Sequence, residues 1–196
     1  MKGEVKRLVE NYTGEKTGNC VDYLFDFLDE LREVEGAIVE FGVYRGGMLA
    51  SMALWMRYRG MEDTLIGLDT FCGYPGLEQF SDTSVEVVRS LFFALGLGAP
   101  NLVAGDFKVT VGRLPYKIKL VFIDCDLYES YMSALNGCYD RMVRGGVIVF
   151  DEYYSKKYPG ARVAVDEFFS DKSEKPELLA VEERGWERWC VRVRSN

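Results

Sequence analysis

The 196-residue chain contains no histidine. That absence removes Ser-His-Asp and Cys-His catalysis and every imidazole metal site, so any bound metal must be held by oxygen. Cysteine is sparse, and Cys20, Cys72, Cys125, Cys138 and Cys190 form no Cys-x-x-Cys pair. Three of them sit in apolar stretches that read as core, as expected of reduced, structural thiols. Basic residues are outnumbered, 24 Lys and Arg against 31 Asp and Glu, giving a net charge of −7. Nucleic-acid binders present a basic face, so this balance opposes such a partner and favours a small molecule. No apolar run is long enough to span a bilayer, and no secretory leader is visible at the N-terminus. A cytoplasmic protein without a membrane partner is expected.

With 48% apolar residues the chain can bury one sizeable core. One domain over residues 1–196 is therefore expected, with a helical extension at 1–35 and a sheet from 36 onward. The most informative stretch is Ala37-Ile38-Val39-Glu40-Phe41-Gly42-Val43-Tyr44-Arg45-Gly46-Gly47. A β-branched run ends in an acid, breaks into glycines and continues as an apolar helical pattern. Glycines there admit a ligand close to the backbone, and the helix aims its free N–H groups over the turn. A nucleotide-like ligand and an ordinary strand-to-helix turn both fit. Gly42 and Gly46 lack the Gly-x-Gly-x-x-Gly spacing of a dinucleotide site, which argues against a nicotinamide dehydrogenase.

Further along, apolar strands repeatedly end in acids. Residues 64–69 end in Asp69, placed to accept from a ribose or else a solvated strand end. Residues 102–104 lead to Asp106 and Phe107, and residues 118–123 to Asp124. Val147-Ile148-Val149-Phe150 ends in Asp151-Glu152 after a turn at Gly145-Gly146. Between them, Thr83-x-x-Glu86 reads as a capping box opening a helix to Leu97, and Asp126 with Glu129 as the N-cap and N3 of the next helix. Five strands alternating with helices predict a doubly wound α/β sheet, Rossmann-like, with Asp124 and Asp151 on neighbouring strand ends. Asp124, Asp151 and Glu152 at short range would repel unless a cation such as Mg²⁺ joins them; solvated strand ends without metal are the other reading.

The flanks are plainer. Residues 1–15 suit a short helix or a mobile arm. From Asn19, a candidate N-cap, Val21, Leu24, Phe25, Leu28 and Leu31 form an amphipathic helix that packs on the core or on a partner, leaving a homodimer open. A loop at Tyr158-Pro159-Gly160 precedes a helix from Ala161 to Phe169. Two closing strands follow at 177–181 and 186–193, the second alternating Trp189, Val191 and Val193 against Arg188, Arg192 and Arg194 as if half-buried.

Taken as a set, Val39 to Gly47, Leu68-Asp69-Thr70-Phe71 with Gly73 and Pro75, Gly105-Asp106-Phe107, Ile123 to Ser130, Gly145 to Tyr153, and Pro159-Gly160 with Ala164 to Phe168 resemble the macrocin O-methyltransferase family. The resemblance implies a class I S-adenosylmethionine-dependent methyltransferase fold, a seven-stranded sheet whose last strand is antiparallel, and Mg²⁺-assisted methylation of sugar hydroxyls of macrolide antibiotics. It implies that Glu40, Gly42 and Gly46 line the methionine end of the cofactor, with Tyr44, Thr70, Phe71 and Asp124 beside them. Asp69 would hold the ribose, Asp106 and Phe107 would lie at the adenine, and Asp124, Asp151 and Glu152 would ligate Mg²⁺. Asp124 is the expected base for the acceptor hydroxyl, there being no histidine. Two departures stand out: the family usually carries Asp-Asp at Asp151-Glu152 and an acid at Cys72. The chain is also shorter than typical members. A metal-independent small-molecule methyltransferase and a non-catalytic cofactor-binding protein are the competing expectations.

Overall fold

The computed structural model describes residues 1–14, 20–74, 80–182 and 185–194. Asn19, Pro75 and Gly76 lie outside the described residues. Seven strands form one sheet: β1 (Ala37–Phe41), β2 (Leu65–Asp69), β3 (Asn101–Ala104), β4 (Ile118–Ile123), β5 (Met142–Phe150), β6 (Glu177–Val181) and β7 (Glu187–Arg192). Their order is β3-β2-β1-β4-β5-β7-β6. β1 to β5 are parallel, and β7 pairs antiparallel with both β5 and β6. The expected doubly wound, mostly parallel sheet with one antiparallel strand is thus present.

Period-two alternation assigns the strand residues to two cores. Val39, Phe41, Val121, Ile123, Ile148, Phe150 and Val191 pack under α6 (Tyr128–Cys138) and α7 (Pro159–Phe168). Ile38, Leu120, Phe122, Val147 and Val149 face α2 (Cys20–Glu30), α3 (Gly47–Arg59) and α4 (Val85–Ala94). Residues 2–13 are a helix, α1, and not a mobile arm. Val9 is its one buried residue, and Lys6 (2.9 Å to Asp22) and Lys2 (2.5 Å to Asp26) tie it to α2.

Three local expectations shift. The helix after residue 83 stops at Ala94, and Gly96 with φ 64° turns the chain. Pro159 is the first residue of α7 and not a loop residue, because proline's fixed φ suits that position and its missing N–H would be unpaired there anyway. Gly145, at φ 83°, and Gly146 lie within β5, where the pairing with β4 jumps from Ile118–Met142 to Leu120–Val147. The glycines make an irregularity inside a longer strand.

Successive strands run outward from β1 in opposite directions, β2 and β3 on one side and β4 and β5 on the other. The crevice at this switch point is where such sheets take ligands. Gly42 sits at its centre with φ 88°, and a Cβ there would lie 1.7 Å from the carbonyl oxygen of Asp124. Only glycine lets the ends of β1 and β4 come this close. Gly47, at the start of α3, meets nothing nearer than Thr13 at 3.8 Å. Gly42→Ala is expected to cost on the order of 3 kcal/mol and lower the melting temperature by about 6–12 °C. Gly47→Ala should leave the melting temperature unchanged or slightly higher, and thermal denaturation followed by circular dichroism separates the two outcomes.

Candidate active site

The turn after β1 is held by a carboxylate. Val43 and Tyr44 donate their backbone N–H groups to Oδ2 of Asp69 at 2.8 Å each, and Phe71 donates to Oδ1 at 2.8 Å. Gly46, with φ 86°, ends the turn as the N-cap of α3. Asp82 anchors it from outside, accepting from the Tyr44 hydroxyl at 2.7 Å and pairing with Arg45. Thr83 donates its hydroxyl to the Tyr44 carbonyl. Thr83 is therefore not the helix cap, since its hydroxyl is spent on this loop, and Ser84 accepts from Val87 N at 3.2 Å instead.

A cavity of about 660 Å³ opens at the carboxyl edge of the sheet. Of the residues expected to bind cofactor, Glu40, Gly42, Tyr44, Asp69, Thr70, Asp106, Phe107 and Asp124 line it. Gly46 and Phe71 are buried and do not line it, Phe71 packing into the α3 core. Asp106 caps the short helix α5 (Phe107–Thr110) by accepting from Lys108 N at 2.9 Å, and Phe107 stands edge-on to Phe41 at 5.2 Å. Glu40 is 1% exposed, and its Oε2 has no hydrogen-bond partner. Burial, then Asp124 and Asp69, push its pKa well up. Such an orphaned buried acid fits a cationic ligand group.

Asp124, Asp151 and Glu152 each offer an oxygen within 4.8 Å of the others. Glu152 is buried and accepts from the Tyr131 hydroxyl at 2.9 Å. Burial, followed by the charges of Asp151 and Asp126, raises the Asp124 pKa, and burial with Asp124 and Asp151 raises that of Glu152. The set of hard oxygen donors suits Mg²⁺. Beside it lies a cation that the alternation of β7 had placed towards solvent. Arg188 is 6% exposed and reaches Asp151 Oδ1 at 2.6 Å and Glu182 at 2.7 Å.

Asp126 also departs from expectation. The N-cap of α6 is Leu127, with no side-chain cap, while Asp126 adopts φ 59°, is 6% exposed and accepts from the Tyr74 hydroxyl. Its carboxylate lines the cavity instead of closing a helix end. Tyr44, Phe71, Phe80 and Asp126 are the non-glycine residues with positive φ among the described residues; Tyr44, Phe80 and Asp126 line this cavity, and Phe71 follows Thr70, which does. Each such conformation costs about 1–2 kcal/mol, strain of the kind that persists at functional sites. Residue spacing missed Asp126, Tyr74 and Arg188. The one available signal was the second acid of Asp124-Cys125-Asp126, which also matched a capping pattern.

Comparison with known proteins bears on this geometry. Residues 20–187 match the model of the macrocin-O-methyltransferase (TylF) family. Demethyldecarbamoylnovobiocin O-methyltransferase of Streptomyces niveus is 29% identical over 177 residues, covering 79% of this chain and 67% of that protein. The 8-demethyl-8-(2,3-dimethoxy-alpha-L-rhamnosyl)-tetracenomycin-C 4'-O-methyltransferase of Streptomyces olivaceus is 29% identical over 140 residues, 61% of this chain and 54% of its own length. The chain thus spans about half to two thirds of these relatives. Among solved structures, that of the O-methyltransferase NovP superposes with a TM-score of 0.79 at 23% identity, over 90% of this chain and 80% of that one. The calicheamicin methyltransferase CalS11 gives 0.69 at 22% identity, over 97% and 90%. These two speak to the fold, which is that of methyltransferases. The chain belongs to the macrocin-O-methyltransferase family and is a methyltransferase.

Proposed function

We propose that the chain methylates a hydroxyl of a small molecule, of the natural-product sugar class named for its relatives, using S-adenosylmethionine with Mg²⁺ at Asp124, Asp151 and Glu152. The observation that carries this reading is the meeting of the unpartnered Glu40 oxygen with Asp124 and Asp151 in one cavity, the buried Glu152 bringing a third carboxylate oxygen within 4.8 Å of theirs. Glu40 would take the cofactor's amino group, Gly42 would leave room for its methionine end, and Asp69, Asp106 and Phe107 would hold the nucleoside. When bound, S-adenosylmethionine supplies an electrophilic methyl group and Mg²⁺ supplies positive charge that acidifies an acceptor hydroxyl. The protein's part is positioning and proton transfer. Asp124, at the end of β4, and Asp126, held by Tyr74 and two residues on, are the carboxylates that could take the acceptor proton in the absence of histidine.

The Arg188–Asp151 pair favours a second reading, in which the guanidinium alone balances the cluster and the enzyme works without metal. A chelator separates the two, since turnover lost in EDTA and restored by Mg²⁺ supports the metal reading, whereas unchanged turnover sinks it. Asp124→Asn should reduce kcat at least about 100-fold, as loss of an acid–base or metal-liganding group does. If Asp126→Asn lowers kcat by as much while Mn²⁺ binding persists, Asp126 is the base.

Calorimetry with S-adenosylhomocysteine tests the cofactor half. Glu40→Gln removes the charge paired with the amino group and should weaken binding about tenfold, within the range of one charged hydrogen bond. Asp69→Ala should weaken it further by freeing the Val43–Tyr44 turn. Equal affinity in all three proteins would overturn the assignment.

The raised pKa values also carry a stability signature. Asp124 and Glu152 are harder to ionise folded than unfolded, so their contribution is full below the ordinary carboxylate pKa, near 4, and is lost as pH rises through the folded values. Metal-free Asp124→Asn should therefore melt above the wild type at pH 8 and level with it at pH 4. A lower melting temperature at pH 8 would contradict the charge repulsion.

A further inference from the structure

We propose that Arg188 is a resident counter-cation that weakens the grip of the acidic cluster on its divalent ion, an inference that rests on the metal reading above. β7 is the one antiparallel strand of the sheet, so its first residues, and not its last, arrive at the edge where β1 to β5 end. Phe150 pairs with Trp189, which sets Arg188 opposite Asp151. Its Nη1 donates to Asp151 Oδ1 at 2.6 Å and to the Asp151 carbonyl at 3.1 Å. Oδ2 is then the Asp151 oxygen left free of this pair for an ion. The side chain is 7% exposed, so water screens its charge poorly.

The charge is held in place from the far side as well. Nε donates to Glu182 at 2.7 Å, and Glu182 is itself 10% exposed. Glu182 starts the turn between β6 and β7: its N–H donates to the Trp186 carbonyl at 2.8 Å, and its carbonyl accepts from Gly185 at 2.7 Å. The Trp186 ring stands 5.9 Å from the guanidinium carbon and lines the cavity. A guanidinium stays protonated in proteins, so the charge is permanent. A fixed positive charge one ligand away from a divalent ion repels it, and Glu182 offsets part of that repulsion. Removing the guanidinium and removing Glu182 must therefore act on metal affinity with opposite signs.

Calorimetric or paramagnetic titration of the full chain with Mn²⁺ reads this directly, without any acceptor. Arg188→Met is expected to bind Mn²⁺ at least about tenfold tighter than wild type, Arg188→Lys to stay within about threefold, and Glu182→Gln to bind about threefold weaker. S-adenosylhomocysteine affinity, unchanged across the set, shows that the sheet edge is intact. If Arg188 merely braces Asp151, Arg188→Met and Glu182→Gln both weaken Mn²⁺ binding, and the proposal is overturned. Should Arg188→Met fail to fold, Arg188→Gln takes its place, with tighter Mn²⁺ binding expected, and an affinity equal to or below wild type overturns the proposal. Variants that all match a metal-binding wild type sink the Arg188 role and leave the metal reading standing; no Mn²⁺ binding in any of the proteins sinks both.

Discussion

Three backbone N–H groups converge on the Asp69 carboxylate, two from the turn after β1 and one from the turn after β2. Hydrogen bonds to a charged acceptor contribute about 1.5–3 kcal/mol each, more than a neutral turn bond supplies. The turn needs that contribution, because Tyr44 sits at φ 50° inside it and Gly42 must approach Asp124 closely. Once the turn is set, α3 starts where it does, Glu40 is sealed beneath it, and the mouth of the cavity is defined. An acid that sequence reasoning assigns to a ribose is thus also a structural clamp, and its carboxylate serves both turns at the switch point.

The carboxyl edge gathers negative charge to a degree that folding alone would not select. Glu40, Asp124 and Glu152 are all harder to ionise than free carboxylates, chiefly through burial and then through the charges of neighbouring acids, Asp69, Asp124, Asp126 and Asp151 among them. Four non-glycine residues with positive φ stand on the same loops. Both features lower stability, and among the described residues both gather at the carboxyl edge of the sheet, while the sheet behind it is built of ordinary apolar alternation. This is the pattern of a site whose charges are balanced by what it binds. An amino group at Glu40 and a divalent ion at the cluster would each relieve a specific part of it.

The sequence was informative wherever function followed from local pattern. A β-branched run ending in an acid declares both a strand and the identity of its terminal side chain, so Glu40, Asp69, Asp124, Asp151 and Glu152 could be placed on one edge from residue order alone. It misled where two local patterns shared the same residues. Asp126 with Glu129 has the spacing of a cap, yet Asp126 turns into the cavity to meet Tyr74, 52 residues away in the chain. Thr83 with Glu86 has that spacing too, yet its hydroxyl goes to Tyr44, 39 residues away. In each case a tertiary partner outcompeted a local one of similar strength, and no window of neighbouring residues contains that partner.

Arg188 fails for a different reason. Alternation along β7 separates its two faces correctly, with Val191 and Val193 in the core under α7. The step from polar face to solvent face does not hold, because β7 lies between β5 and β6 and α2 covers its other side, with Arg192 reaching Glu30 and the Phe27 ring. A charged residue on an interior strand must find partners or pull its strand apart. Arg192 finds its partner on α2, and Arg188 finds Asp151 and Glu182 at the edge where the parallel strands end. Antiparallel insertion of the last strand therefore does chemical work that a parallel one could not: it sends the start of a strand, with a cation on it, into a row of acids contributed by strand ends.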